Sequence, residues 1–159
     1  MTSDLRDLYQ DVILDHGKRP RNARVIEGAT LTQPAYNPLC GDKGTLYLAL
    51  DADGQRILDA AYVGHGCSIS TASASIMTEF VRGRTREEAL ATFGLFHDML
   101  TAAPNEASHR AVPGMGKLSV FSGVAGFPAR VKCATLAWHA LKAALALGPE
   151  AAARPVSTE

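Results

Sequence analysis

The spacing of apolar residues predicts an amphipathic helix at the start of the chain. The residues that recur on one helical face are Leu5, Leu8, Tyr9, Val12 and Ile13. Ser3 or Asp4 can cap this helix, because their side chains accept terminal N–H groups, and Gly17 can close it. The basic segment 18–22 that follows contains a proline and is predicted to be a solvated loop, with contact to an acidic partner as the alternative.

Apolar and β-branched residues next predict a β-hairpin. Residues 45–50 and 56–63 form the two strands, and 51–54 (Asp-Ala-Asp-Gly) between them is a typical turn sequence. The preceding segment carries Pro34, Pro38 and Gly41 and is predicted to be a loop.

Helical sequence patterns predominate in the rest of the chain, from residue 68 to residue 147. One helix is predicted over 68–82, closed by Gly83, and a second runs from the capping box at 85–88 to about residue 100. The Pro/Gly-rich segment 101–116 is predicted to be a long loop, 117–124 a short helix, and 129–147 a final helix that begins after Pro128. Phe93, Phe96, Met99 and Leu100, together with Trp138, Leu141 and Leu145, are predicted to be core residues.

These elements predict one α+β domain over residues 1–147, with a small antiparallel sheet of about three strands packed against several helices. Residues 148–159 are predicted to be a disordered C-terminal tail. A chain of 159 residues is long enough to bury one substantial core.

Composition narrows the functional class. The chain has 16 basic and 16 acidic residues and a pI near 7.0, which argues against nucleic acid as the main partner. No apolar run is long enough for a membrane span, and the start of the sequence is polar and acidic. We therefore expect a soluble, cytoplasmic protein whose three cysteines are reduced.

Each cysteine lies at a junction between predicted elements. Cys40 precedes the first hairpin strand, Cys67 directly precedes a helix, and Cys133 lies in the first turns of the last helix. A helix N-terminus favours the thiolate, which is both the nucleophile and the metal ligand. Asp42 would project to the same side as Cys40 in an extended segment, so three thiolates and one carboxylate could form a tetrahedral site.

Other interpretations stay open at this point. The cysteines are 27 and 66 positions apart, which matches no local metal motif, and cysteines without such a motif are commonly buried hydrophobic residues. His65, two residues before Cys67, is an alternative ligand. Arg130, one turn before Cys133, could offset the negative charge of a thiolate-rich site. Lys132 is predicted to be solvated, with an alternative position near the site.

The other histidines lack partners in the sequence. His16, His97 and His109 are predicted to be surface or boundary residues. His139 lies about two-thirds of a turn around the helix from Cys133 and is predicted to be on the outer face.

At the cysteine motifs the sequence resembles the IscU/NifU-like family. The matching segments are Cys40-Gly41-Asp42, residues 66–75 around Cys67, residues 128–133 ending at Cys133, and an N-terminal pattern over 8–22. The resemblance covers about residues 5–147, with all motifs in order. A long segment between the second and third cysteines makes the SufU branch the closer match. Lys132 stands where scaffold-type members have a histidine.

The resemblance implies a zinc-dependent sulfurtransferase of iron–sulfur cluster assembly. Zn²⁺ would be held by Cys40, Asp42, Cys67 and Cys133, with Cys40 as the acceptor of persulfide sulfur and Arg130 as charge support. The implied partners are a SufS-type cysteine desulfurase, one of whose histidines replaces Cys40 on the zinc at docking, and downstream iron–sulfur scaffold proteins. The alternative is a scaffold that binds iron or a [2Fe–2S] cluster on the same ligands.

Overall fold

The computed structural model describes residues 2–38, 41–101, 116–124, 126–147 and 156–157, and no side chains of residues 2–9, 147 and 156–157. The elements in chain order are α1 (Thr2–Lys18), β1 (Leu31–Asn37), β2 (Asp42–Leu50), β3 (Ile57–His65), α2 (Ser68–Val81), α3 (Arg86–Thr101), a 3₁₀ helix (Gly116–Val124), α4 (Pro128–Leu147) and β4 (Val156–Ser157). The predicted loop 101–116 lies almost entirely outside the described residues.

The strands form one sheet in the order β3-β2-β1-β4. The three long strands pair antiparallel, and α2 and α4 pack against them, which confirms the predicted α+β architecture. The two-residue strand β4 pairs parallel with β1, and no sequence pattern indicated it. The division into a domain over 1–147 and a tail over 148–159 stays a prediction.

Strand β1 corrects the prediction of a loop before the hairpin. Its buried positions alternate from Leu31 to Asn37, so the segment has a normal inward face. Two of the four inward residues, Gln33 and Asn37, are polar, and Pro34 cannot donate to a ladder. The sequence therefore lacks the apolar alternation by which a strand is recognised, although the register pairs Pro34 with Thr45 of β2.

The structure confirms two other local predictions, the hairpin turn after Asp51 and the capping box at the start of α3. The Asp51 carboxylate accepts the N–H groups of Gln55 and Arg56 at 2.9 and 3.2 Å, closing the predicted hairpin turn. These hydrogen bonds lower the pKa of Asp51. Thr85 and Glu88 exchange the two hydrogen bonds of a capping box, at 2.9 and 3.1 Å, so α3 begins where the sequence predicts.

Helix α1 differs from its prediction at both ends. It begins at Thr2, before the two residues predicted as caps, and it continues through Gly17 to Lys18. A Cβ at position 17 would lie 3.3 Å from Cβ of Ser68, so this glycine allows close packing of α1 on the start of α2. Val12 and Ile13 of the predicted apolar face contact the core, whereas the side chains of Leu5, Leu8 and Tyr9 lie outside the description.

The predicted helical core residues are confirmed as buried. Phe96 stacks on Trp138 with ring centroids 4.9 Å apart, and Phe121 of the 3₁₀ helix meets Phe96 edge to face at 5.8 Å. These rings join α3, α4 and the 3₁₀ helix into one core. No helix in the described ranges is long and apolar enough to cross a bilayer.

His16 is buried between α1 and α2, which corrects its predicted surface position. Only 1% of the residue is exposed. Its Nδ1 lies 2.7 Å from Oγ of Ser75, which also accepts the N–H of Arg21 at 2.8 Å. Burial lowers the pKa of His16, and Arg21 lowers it further, while Glu79 opposes the shift. The neutral imidazole is therefore the form that the fold favours.

We expect the free energy of unfolding to fall as pH drops through and below 6.5. The unfolded chain binds a proton at His16 more readily than the folded chain, so acidification favours unfolding, by at most about 1.4 kcal/mol per pH unit for one group. Urea unfolding at several pH values measures this slope. His16→Gln should reduce this slope, whereas His65→Gln, at an exposed position, should leave it unchanged. Equal slopes in both variants would contradict the assignment to His16.

Candidate metal centre

The first predicted ligands lie where β1 turns into β2. Asn37 ends β1 and pairs in register with Asp42, the first residue of β2. Gly41 has φ +75°, a value that favours glycine, and its N–H donates to the carbonyl of Asn37 at 2.8 Å. Cys40, within the connection between Asn37 and Asp42, lies outside the described residues.

The carboxylate of Asp42 is buried against the start of α2. Asp42 is only 2% exposed, and its Oδ1 accepts the N–H of Cys67 at 2.9 Å. Its Oδ2 lies 3.7 Å from Sγ of Cys67. A Cβ on Gly66 would lie 2.3 Å from Oδ1, so glycine at this position is what lets the carboxylate reach Cys67.

Cys67 is the N-cap of α2. Its sulfur accepts the N–H of Ser70 at 3.4 Å, and its backbone is extended, as an N-cap requires. The side chain is exposed at the helix terminus, where the macrodipole favours a thiolate. The sequence predicts this placement from the residues on either side of Cys67.

Cys133 completes a three-residue group with Asp42 and Cys67. It lies buried in the second turn of α4, and one ligand atom of each residue lies within 4.8 Å of the other two. Within the described ranges this is the single group of three or more such residues with that spacing. The tertiary structure thus brings together three of the four predicted ligands from three separate segments.

The spacing and chemistry of this group fit a tetrahedral metal ion. Bond lengths of about 2.3 Å to sulfur and 2.1 Å to oxygen place neighbouring tetrahedral ligands about 3.6 Å apart. The observed separation of 3.7 Å between Cys67 Sγ and Asp42 Oδ2 is close to this value. Two thiolates with one carboxylate suit zinc, and thiolate-rich sites also suit iron–sulfur clusters.

An aromatic side chain lies beside the site. The ring of Tyr62 covers Gly44, where a Cβ would lie 2.4 Å from Cζ. Burial raises the pKa of Tyr62, and the negative charge of Asp42 raises it further. The phenol is therefore a neutral neighbour of the acidic group. The sequence carries no signal for this residue, because Tyr62 and Asp42 meet only through the register of β2 and β3.

The remaining site candidates, Arg130, His65 and Lys132, do not belong to the group of ligand atoms. The guanidinium of Arg130 lies over the ring of Phe127, 4.7 Å from its centroid, and both residues are exposed. Charge support by Arg130 stays a prediction. His65 ends β3 and is exposed, while Lys132 is half-buried. Neither belongs to the group of ligand atoms.

His139 does not lie on an outer face, which corrects that prediction. It is half-buried between α3 and α4, edge to face with Phe93 at 5.3 Å and with His97 at 5.9 Å. Burial lowers the pKa of His139, as do His97 and Lys142. His97 is half-buried, consistent with a boundary residue, and His109 lies outside the described residues.

Comparison with known proteins identifies close relatives. The profile of the family described as NifU-like N terminal domain matches residues 8–134. The chain is 43% identical over 143 residues to the iron-sulfur cluster assembly scaffold protein IscU of Streptococcus pyogenes serotype M1, covering 90% of this chain and 86% of that protein. It is 40% identical over 144 residues to the zinc-dependent sulfurtransferase SufU of Bacillus subtilis, covering 91% and 93%.

A solved structure shares the fold. The crystal structure of a candidate iron-sulfur cluster assembly scaffold protein for the SUF system, from Fervidobacterium islandicum AW-1, superposes with a TM-score of 0.76 at 33% identity. The match covers 88% of this chain and 98% of that chain. Relatives named as scaffolds and a relative named as a sulfurtransferase are thus similarly close to this sequence.

Proposed function

Because the chain belongs to the NifU-like N-terminal domain family, we propose that it is an iron–sulfur cluster assembly protein and, within that role, a zinc-dependent sulfurtransferase. The observation that carries this proposal is the convergence of Asp42, Cys67 and Cys133 within 4.8 Å. Cys40, which directly precedes Gly41 in the sequence, is the fourth proposed ligand and the proposed sulfur acceptor.

The donor set gives zinc a defined role. Bound zinc would keep the thiolates deprotonated and protected from oxidation, since it has no redox chemistry of its own. Asp42 and Cys133 are buried and supply a rigid base for the site, whereas Cys67 is exposed. The hydrogen bond from Cys67 N–H holds the Asp42 carboxylate in place.

The proposed sulfur transfer is a thiol–persulfide exchange. The thiolate of Cys40 attacks the terminal sulfur of a cysteine persulfide on the desulfurase. A new S–S bond forms at Cys40, the S–S bond of the desulfurase persulfide breaks, and the desulfurase cysteine leaves as a thiolate. The persulfide on Cys40 keeps the proton of the transferred S–H, so no external oxidant or reductant is needed.

A second candidate function is a scaffold on which a [2Fe–2S] cluster is assembled as cargo on the same ligands. The relatives named as IscU scaffold proteins favour this second function. Lys132, directly before Cys133, favours the sulfurtransferase, because an ammonium group cannot act as a metal ligand as a histidine can.

The proposed partners are a SufS-type cysteine desulfurase and downstream iron–sulfur scaffold proteins. A reducing compartment such as the cytoplasm suits this thiol chemistry.

Metal analysis combined with a desulfurase assay tests the proposal. We expect the purified protein to be colourless, to carry about one zinc per chain for one four-ligand site, and to stimulate a SufS-type desulfurase. Cys40→Ala should abolish stimulation, while Ser3→Ala, distant in sequence from every proposed ligand, should retain it. Absence of both zinc and stimulation in the native protein would contradict the sulfurtransferase.

A scaffold function predicts a different experimental result, the visible absorption of a reconstituted cluster. Anaerobic incubation with ferrous iron and sulfide would give a brown protein with a stable visible absorption if the ligands hold a cluster. A stable, transferable cluster on a protein that does not stimulate the desulfurase would favour the second candidate.

A further inference from the structure

A charged groove lies at the C-terminal end of α2, away from the metal centre. It has a volume of about 740 Å³ and lies between the end of α2, the turn into α3 and the start of the 3₁₀ helix. Its charged lining residues are Arg56, Arg82, Arg84 and Lys117 on the basic side and Glu79 and Glu88 on the acidic side. The apolar part of the lining is Ile76 and Phe80.

Both acidic side chains have partners within the chain. Glu88 accepts the N–H of Thr85 at 2.9 Å as part of the capping box. This hydrogen bond lowers the pKa of Glu88, and Arg84 and Arg56 add to the shift. Oε1 of Glu79 lies 3.9 Å from Nε2 of the buried His16. The negative charge of Glu88 is therefore partly compensated before any ligand arrives, whereas Glu79 faces an imidazole that the fold favours as neutral.

Two of the cations retain binding capacity. Nε of Arg84 donates to the carbonyl of Phe80 at 2.8 Å, and its guanidinium lies 4.1 Å from the centroid of the Phe80 ring. An arginine has five N–H donors, and the other four of Arg84 have no protein partner among the described residues. The exposed ammonium of Lys117 forms no ion pair or hydrogen bond with any residue that the structure describes.

The other two cations are held by the protein. Arg82 lies 3.4 Å from the Asp59 carboxylate, which also pairs with Arg24. Arg56 donates to the carbonyl of Gly83. Arg56, like Arg84, uses one of its five N–H donors on a backbone carbonyl, so it also keeps free donors. Arg84, which is also fixed by stacking on Phe80, and Lys117, which has no described ion pair or hydrogen bond, are the two groups best placed to receive new carboxylates.

We propose that this groove docks an acidic segment of a partner polypeptide, with carboxylates on Arg84 and Lys117 and an apolar side chain on the part of Phe80 that neither the core nor Arg84 covers. An apolar surface between separated cations suits a peptide better than a compact inorganic anion, which needs converging donors. The 14-residue helix α2 separates the groove from Cys67 by about 20 Å, at 1.5 Å per residue. A partner bound here would leave the metal centre accessible to a second protein.

A fluorescent, glutamate-rich peptide with one central leucine is the probe. We expect it to bind the full chain in anisotropy titrations and to weaken as salt rises. The double variant Arg84→Gln/Lys117→Gln should lose about tenfold in affinity, equivalent to about 1.4 kcal/mol. The control Lys18→Gln/Arg19→Gln removes the same charge from an exposed segment and should change affinity by less than about twofold.

Three results would overturn the proposal. The first is that the control variant loses as much affinity for the peptide as the double variant does. The second is that a peptide with glutamine in place of glutamate binds equally well. The third is that inorganic phosphate displaces the peptide at a concentration similar to that of the peptide. Lys117→Gln alone, which removes no described ion pair or hydrogen bond, should still weaken binding about threefold and guards against misfolding of the double variant. The titration uses no desulfurase, so its outcome is independent of the proposed sulfur transfer.

Discussion

Replacement of Asp42 by asparagine is expected to release zinc while the fold is retained. The amide oxygen of asparagine can still accept the N–H of Cys67, so the hydrogen bond at 2.9 Å has a substitute. The negative ligand is lost, however, and a neutral amide is a poor replacement on zinc. Loss of a residue that only supports a metal ligand lowers metal affinity by up to about 100-fold, and loss of the ligand itself should cost at least as much. We therefore expect zinc affinity to fall by at least about 100-fold and sulfur acceptance to fall with it.

Competition with a chromophoric chelator measures this affinity, and thermal unfolding of the metal-free proteins measures the fold. Asp98→Asn, at an exposed position on α3, removes the same charge and should leave zinc binding unchanged. Asp42→Ala loses both the ligand and the acceptor for Cys67 N–H, so it should also destabilise the metal-free protein. Native zinc affinity in Asp42→Asn would exclude the carboxylate as a ligand.

Replacement of Gly64 by alanine is expected to destabilise the whole sheet. Gly64 on β3 faces Gly44 on β2, and an added Cβ would lie 2.3 Å from the carbonyl oxygen of Lys43 and 2.6 Å from Cα of Gly44. Both contacts are with backbone, which cannot move without disrupting the ladder. We expect a loss of about 3 kcal/mol in unfolding free energy, the upper range for overpacking. This corresponds to a fall of about 6–12 °C in Tm for a chain of this size.

Gly94→Ala is the matched control. Gly94 lies within α3, and a Cβ there would meet no atom within 4 Å other than its chain neighbours and the backbone of its own helix. Alanine has the higher helix propensity, so we expect this variant to gain about 0.5–1 kcal/mol. Chemical unfolding of both variants gives the comparison, and equal stability of the two would contradict the structural account of Gly64.

Much of the fold is encoded in short stretches of sequence. The capping box at Thr85 and Glu88 and the turn after Asp51 depend on residues within five positions of one another, and both form as predicted. Strand β1 could not be predicted in the same way. Its inward residues Gln33 and Asn37 are polar, so the alternation of apolar residues from which a strand is predicted is missing, although both side chains are buried.

In the candidate site, too, some features follow from local sequence and others only from the tertiary structure. The sequence by itself indicated which residues are candidate ligands and determined that Cys67 begins a helix, because helix starts and glycine turns are local signals. Only the tertiary structure decided that Asp42 binds the N–H of Cys67, that Cys133 joins them, and that His16 is buried. These contacts join residues 25 to 91 positions apart, so they depend on strand register and helix packing, which no local periodicity specifies.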